Sequence, residues 1–149
     1  MATSGRATGN SVSIGGNGGN YIFTDWQLAG QSVAGNYSNI NWQTYMHYNS
    51  ADAQLDNGYT DCASRVWTNG GRVYNFAGNY TTRDMGLASG SITVYHDSAG
   101  NYTLGVNNGV QPYGSSYTGS SGSAWALPTI PRYTSVSYTH LTLPTNREV

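Results

Sequence analysis

The chain has 149 residues, a formal net charge of −1 and only 9% charged residues, against 13 Tyr, 4 Trp and 20 Gly. That length sets a single domain as the first expectation. Without a basic or acidic run, the electrostatic footprint of a nucleic-acid binder is excluded, and no apolar stretch approaches the ~20 residues of a membrane helix.

The chain holds no lysine, and its one glutamate is Glu148. Losing Lys and Glu removes two good helix formers, while Tyr, Trp, Thr, Val and Ile set among Gly and Asn favour strands and turns. Ser11 to Ile14 alternates and predicts a short edge strand, and Gly15 to Asn20 predicts a loop or wide bulge. Tyr21 to Leu28 places Ile22, Trp26 and Leu28, with Thr24, on one face, so a strand is predicted. Ala29 to Tyr37 is expected to be a loop. Ser38 to Tyr48 has the clearest period of two: Ile40, Trp42, Thr44, Met46 and Tyr48 face one way, Asn41, Gln43, Tyr45 and His47 the other. One apolar and one wet face predict an antiparallel sheet.

Asn49 to Thr60 is polar and expected to be a long loop, followed by a strand at Asp61 to Trp67. Thr68 to Gly71 predicts a tight turn into a partner strand at Arg72 to Ala77. A loop is expected at Gly78 to Met85 and a strand at Leu87 to His96. Asp97-Ser98-Ala99-Gly100 carries a type I turn signature leading to Asn101–Val106. Asn107-Asn108-Gly109 predicts another turn before Val110 to Tyr113. The Gly/Ser-rich Gly114 to Ser123 precedes a closing strand at Ala124 to Leu127.

About eight short strands with Gly/Asn turns and no helical stripe predict an all-β fold, an antiparallel β-sandwich that is jelly-roll-like or immunoglobulin-like. Trp26 and Trp42 are expected core anchors. Cys62 is the only cysteine, so neither an intrachain disulfide nor a cysteine metal cluster can form, and a small structural thiol is expected. The opening Met1-Ala2-Thr3-Ser4-Gly5-Arg6 has no apolar core of a secretory leader, so synthesis in the cytoplasm and release by lysis are expected.

Chemistry-bearing residues are few. Asp25 and Asp84 are the first carboxylates to weigh as a paired acid. His96-Asp97 reads as a turn cap. Asp52 to Gly58 lacks the calcium-loop spacing and its final Glu, and Gly15 to Gly19 lacks the Lys-Ser/Thr of a phosphate loop. No catalytic residue, metal site or cofactor is expected. What remains is recognition: Tyr37, Tyr45, Tyr48, Tyr59 and Tyr80, beside Asn and Gln, suit stacking on sugar rings and hydrogen bonding to their hydroxyls.

Four segments carry a resemblance. They are Met1-Ala2-Thr3-Ser4-Gly5, the stretch from Tyr21 to Asn36-Tyr37-Ser38, the run from Ser89 through Tyr95-His96-Asp97-Ser98-Ala99-Gly100, and Leu127-Pro128-Thr129-Ile130-Pro131-Arg132. Taken in order and spacing they resemble a family of minor structural proteins of siphophages that infect Gram-positive bacteria. The resemblance covers nearly all of residues 1–132 and implies a virion tail role, in the tail tip or a fibre, with host-surface contact. It implies other phage tail proteins and a host cell-wall polysaccharide as partners, and a homotrimer as the assembly of a tail-tip or fibre component. It supplies no catalytic residues. The family continues past the Pro-Arg with Ala-Ser and further β-rich domains. Here Tyr133 to Val149 instead resembles translated sequencing-adapter read-through. The expectation is therefore a β-sandwich at 1–132, the N-terminal piece of a longer protein, and a non-native tail at 133–149. The rival expectations are a bacterial carbohydrate-binding module and a fragment of a glycan-cleaving enzyme.

Overall fold

In the computed structural model, residues 1–14, 17–48, 52–62, 71–75, 83–112 and 118–132 are described. They form nine strands: β1 (Ser4–Thr8), β2 (Val12–Ile14), β3 (Asn17–Ser32), β4 (Tyr37–Tyr48), β5 (Asp52–Cys62), β6 (Gly71–Asn75), β7 (Arg83–Tyr95), β8 (Thr103–Pro112) and β9 (Thr118–Ala126). One sheet has the order β1-β3-β4-β7 with β2 added beside β3, and the other has the order β6-β5-β8-β9. All pairings are antiparallel. The chain therefore leaves the first sheet after β4, builds β5 and β6, returns for β7, and finishes the second sheet with β8 and β9.

The two sheets bury their facing sides against each other, as the alternation in β3 and β4 requires. Ala7, Trp26, Ile40, Trp42, Ile92 and Val94 from the first sheet form one cluster with Cys62, Leu104 and Val106 from the second, closed by Leu127. Each fully buried aliphatic chain contributes about 1.5–3 kcal/mol. Both expected tryptophan anchors lie in this core, and a cross-strand row explains how two indoles fit side by side. Gly5, Trp26, Trp42 and Gly90 are register partners across four strands. A Cβ on Gly5 would lie 2.5 Å from Trp26 Nε1, and one on Gly90 would lie 3.0 Å from three atoms of the Trp42 ring. On the core face the Trp26 indole lies over Gly5 and the Trp42 indole over Gly90, and Trp125 completes the layer 5.5 Å from Trp26.

A polar seam crosses the same core. The hydroxyls of Thr24 and Thr44 are 2.9 Å apart, and those of Thr44 and Thr60 are 2.5 Å apart across the sheets. Asn108 Nδ2 donates to Ala7 O at 3.1 Å and to Thr24 Oγ1 at 3.2 Å. A buried network with its partners supplied fixes which residues face each other, because a slip of either sheet strands these groups without partners. Cys62 sits in the core as a fully buried thiol, and burial, with Asp61 nearby, pushes its pKa up to about 12.

Several predicted boundaries are corrected. β3 runs 16 residues, absorbing Asn17–Asn20 and Ala29–Ser32, which were expected to be loop. The expected loop at Asn49–Thr60 holds most of β5, which ends at Cys62 inside the strand expected from Asp61; its polar text becomes strand because β6 and β8 pair with it on both sides. Asn107-Asn108-Gly109 is not a turn but the middle of β8, since the Asn108 amide is spent on the buried seam. Arg83–Met85 belongs to β7, and Thr118–Ser123 to β9. β1 was not predicted, because only Ala7 of its five residues is buried. The expected features at 63–70, 76–82 and 113–117, including Trp67, lie outside the described residues, as does the tail at 133–149.

One end of the sandwich is stitched by its turns. Asn36, with φ at 53°, closes the β3–β4 turn, and its Nδ2 donates to the carbonyls of His96 and Asp97 at 2.9 Å each. The expected Asp97–Gly100 turn is present: Asp97 Oδ1 accepts from the amides of Ala99 and Asn101. Gly100 has φ at 83°, and a side chain there would collide with the Ile130 carbonyl. Gln31 Nε2 donates to Pro128 O at 2.8 Å, which ties the segment after β9 to the same end.

Candidate functional site

The outward face of the five-stranded sheet carries a groove of about 930 Å³. Its floor is the row Gly5, Trp26, Trp42 and Gly90, whose two indoles point away into the core. One rim is Ser4, Gln27, Asn41 and Ser91, and the other is Arg6, Asp25, Gln43 and Ser89. These two rims are the register rows on either side of the floor. They face outward because strand alternation sends every second residue to the opposite side. Tyr45 extends the second rim by one step along β4.

The lining is rich in amides and hydroxyls. Ser91 Oγ donates to Asn41 Oδ1 at 2.6 Å, which leaves the two N–H donors of the Asn41 amide for another partner. The two charged residues neutralise each other: Arg6 Nε and Nη2 reach Asp25 Oδ1 and Oδ2 at 2.6 and 2.7 Å, a bidentate pair. The hydrogen bond that Arg6 donates to Asp25 raises the Arg6 pKa; desolvation opposes this, and the negative charges of Asp25 and Asp84 add to the rise. The Arg6 guanidinium carbon also lies 4.2 Å from the centre of the Phe23 ring.

Beyond the groove the same face is aromatic. Phe23 and Tyr45 stack with centroids 5.0 Å apart and planes at 16°, and Tyr21 and His47 stack at 4.5 Å and 17°. His47 Nδ1 and Asp84 Oδ1 are 2.6 Å apart. Phe23 is buried despite its outward position, because Tyr45 and Arg6 enclose it.

The five tyrosines singled out in the sequence are dispersed. Tyr45 lines the groove. Tyr37 shares its face but stands at the other end of β4, edge-on to Tyr95 at 5.8 Å. Tyr59 lies on the other sheet; its neighbours Gly58 and Thr60 are buried, so its ring faces the opposite outer side of the sandwich. Tyr48 ends β4 and its side chain is outside the described residues, as is all of Tyr80. The structure thus brings together Tyr45 with Arg6, Asp25, Gln27, Asn41, Gln43, Ser89 and Ser91, of which only Asp25 had been singled out, and as an acid rather than a binding residue. Gln43 and Asn41 were legible as the wet face of β4. Arg6 was not, because β1 has no alternating apolar pattern.

The carboxylates weighed as an acid pair are engaged separately, Asp25 with Arg6 and Asp84 with His47. Among the described residues no three of His, Cys, Asp and Glu gather closely enough to hold a metal ion. His96 is a buried structural group: its Nδ1 donates to Gly100 O at 2.7 Å, and its Nε2 shares a hydrogen bond with the Ser38 hydroxyl at 2.7 Å. No family model, curated protein or solved structure matches the chain.

Proposed function

We propose that this sandwich is a non-catalytic recognition module of a phage tail protein, and that it contacts a host cell-surface glycan through the groove on its five-stranded sheet. The observation that carries the reading is the groove's chemistry. It combines amide and hydroxyl donors, one aromatic ring and a self-neutralised ion pair along an open trough. Carbohydrates are bound by that combination, with amides meeting hydroxyls and rings covering the apolar faces of sugars. Separate engagement of Asp25 and Asp84 favours binding over hydrolysis. The tail assignment rests on the four sequence segments that resemble siphophage minor structural proteins.

The test is the full chain, fluorescently labelled, incubated with a panel of Gram-positive cells and purified wall polysaccharides. Saturable binding that free saccharide competes away is the expected result. A folded chain that binds no cell and no polysaccharide would leave a scaffold whose partners are other tail proteins. Antibody against the chain should decorate tails of intact virions; decoration of bacterial cells alone would replace the tail assignment with a bacterial carbohydrate-binding module.

A further inference from the structure

The cross-strand row next to the groove reads Thr8, Phe23, Tyr45 and Gly86 on β1, β3, β4 and β7. Arg6 covers one side of Phe23, and Tyr45 covers the other. Tyr45 therefore has one face spent on Phe23, while its other neighbour in the row is a residue without a side chain. The β4–β7 register shifts at this point, with Leu87 as the extra residue between the partners of Thr44 and Tyr45. A bulge of this kind re-aims side chains and is a recurrent feature beside binding sites. Apart from its chain neighbours Met85 and Leu87, the one atom among the described residues within 4 Å of the place a Cβ on Gly86 would take is Gln43 Nε2, at 3.1 Å. That atom belongs to an outward side chain, so the open place at Gly86 faces outward with it. An amide donor is thus held at the edge of an available aromatic face.

We infer that the place over Gly86, bounded by the free face of Tyr45 and the amide of Gln43, seats one pyranose ring of an uncharged glycan. This rests on the glycan-binding reading of the groove and adds to it a subsite and a charge class. A pyranose presents an apolar face of axial C–H bonds and an equatorial belt of hydroxyls. The first matches the open face of Tyr45, and the second matches the Gln43 amide and the adjacent Ser89 hydroxyl of the groove rim. The ring would continue the existing stack of guanidinium, Phe23 and Tyr45 by one member. The ligand is uncharged because both ionic groups in the groove lining are already paired with each other. A phosphate- or uronate-bearing chain would have to break the Arg6–Asp25 pair to gain a counter-charge.

Gly86 makes a clean test position. Its φ is not in the left-handed region, and its one close neighbour beyond Met85 and Leu87 is the end of a flexible side chain, so Gly86→Val is compatible with the strand. The full chain and the variants Gly86→Val and Gln43→Ala are applied to an array of neutral oligosaccharides and of phosphate- and uronate-bearing ones, with thermal unfolding recorded in parallel. The expected result is binding to neutral glycans by the parent chain, weakened about tenfold or more by Gly86→Val at unchanged unfolding temperature. Gln43→Ala is expected to weaken it by a smaller factor, and it keeps the test decisive if the valine variant fails to fold. Neutral-glycan binding left intact by both variants would overturn the subsite while the groove reading stands. Binding to anionic glycans only would overturn the charge class. A parent chain that binds nothing on the array overturns the subsite together with the reading it rests on.

Discussion

Two tyrosines of this protein stand opposite glycines, and they use them in opposite ways. On the second sheet Tyr59 pairs with Gly109, and its ring lies across that glycine, so that a Cβ there would be 2.6 Å from Tyr59 Cε1. On the first sheet Tyr45 pairs with Gly86, but its ring has turned to stack on Phe23, and no tyrosine atom is among the close neighbours of a Gly86 Cβ. The same residue pair closes a surface in one place and leaves a ring face open in the other. The deciding factor is the neighbour on the far side: Phe23, itself backed by Arg6, offers Tyr45 a stacking partner worth about 0.5–1.5 kcal/mol.

The largest effect on stability is expected where the glycine is already covered. Gly109→Val must displace the Tyr59 ring or overpack it, and should cost roughly 1–3 kcal/mol, read as a drop in the denaturant midpoint. Tyr45→Ala comes next. Losing the stack on Phe23 should cost about 0.5–1.5 kcal/mol, and glycan binding in the array assay should fall with it. Gly86→Val should change stability by no more than about 0.5 kcal/mol, although it blocks the open face. If Gly86→Val proved as costly to stability as Gly109→Val, the contrast between the two pairs would collapse. The smallest change is Tyr45→Phe, which keeps both ring faces. Its unfolding midpoint and its affinity should stay close to those of the parent chain, and a large loss of affinity would mean that the hydroxyl, not the ring face, makes the contact.

The sequence made the sandwich legible where alternation was clean. Ile40, Trp42, Thr44 and Met46 identified β4 and its buried face, and Asn41, Gln43 and Tyr45 identified the wet face that became the groove. It misled where tertiary pairing overrode local preference. Asn107-Asn108-Gly109 has turn chemistry, yet Asn108 is a core residue held by Ala7 and Thr24. β5 has no apolar period that distinguishes it from a loop and is a strand because two neighbours pair with it. The site was half visible for the same reason. Tyr45 was named among five tyrosines with nothing to rank it, since its distinction comes from Phe23 and Gly86, which are remote in sequence and meet only through register. The Arg6–Asp25 pair depends on β1, a strand without an apolar signature.

Cys62 turns the buried interior into a clock. It is the only thiol in the chain and closes β5 inside the core, so a thiol reagent at mildly alkaline pH can reach it only when the β5–β8 pairing opens. The labelling rate then measures how often the sandwich breathes, strand by strand, without any engineered probe. It should rise with added denaturant and stay unchanged on Gly86→Val, which lies on the other sheet. The same residue sets an alkaline limit. In the unfolded chain the thiol ionises near its ordinary value of 9.0, and in the folded protein near 12. Between those values the unfolded chain holds fewer protons, so folding stability declines as pH climbs from about 9 toward 12. Cys62→Ala should flatten that decline in a series of unfolding curves taken across the same range.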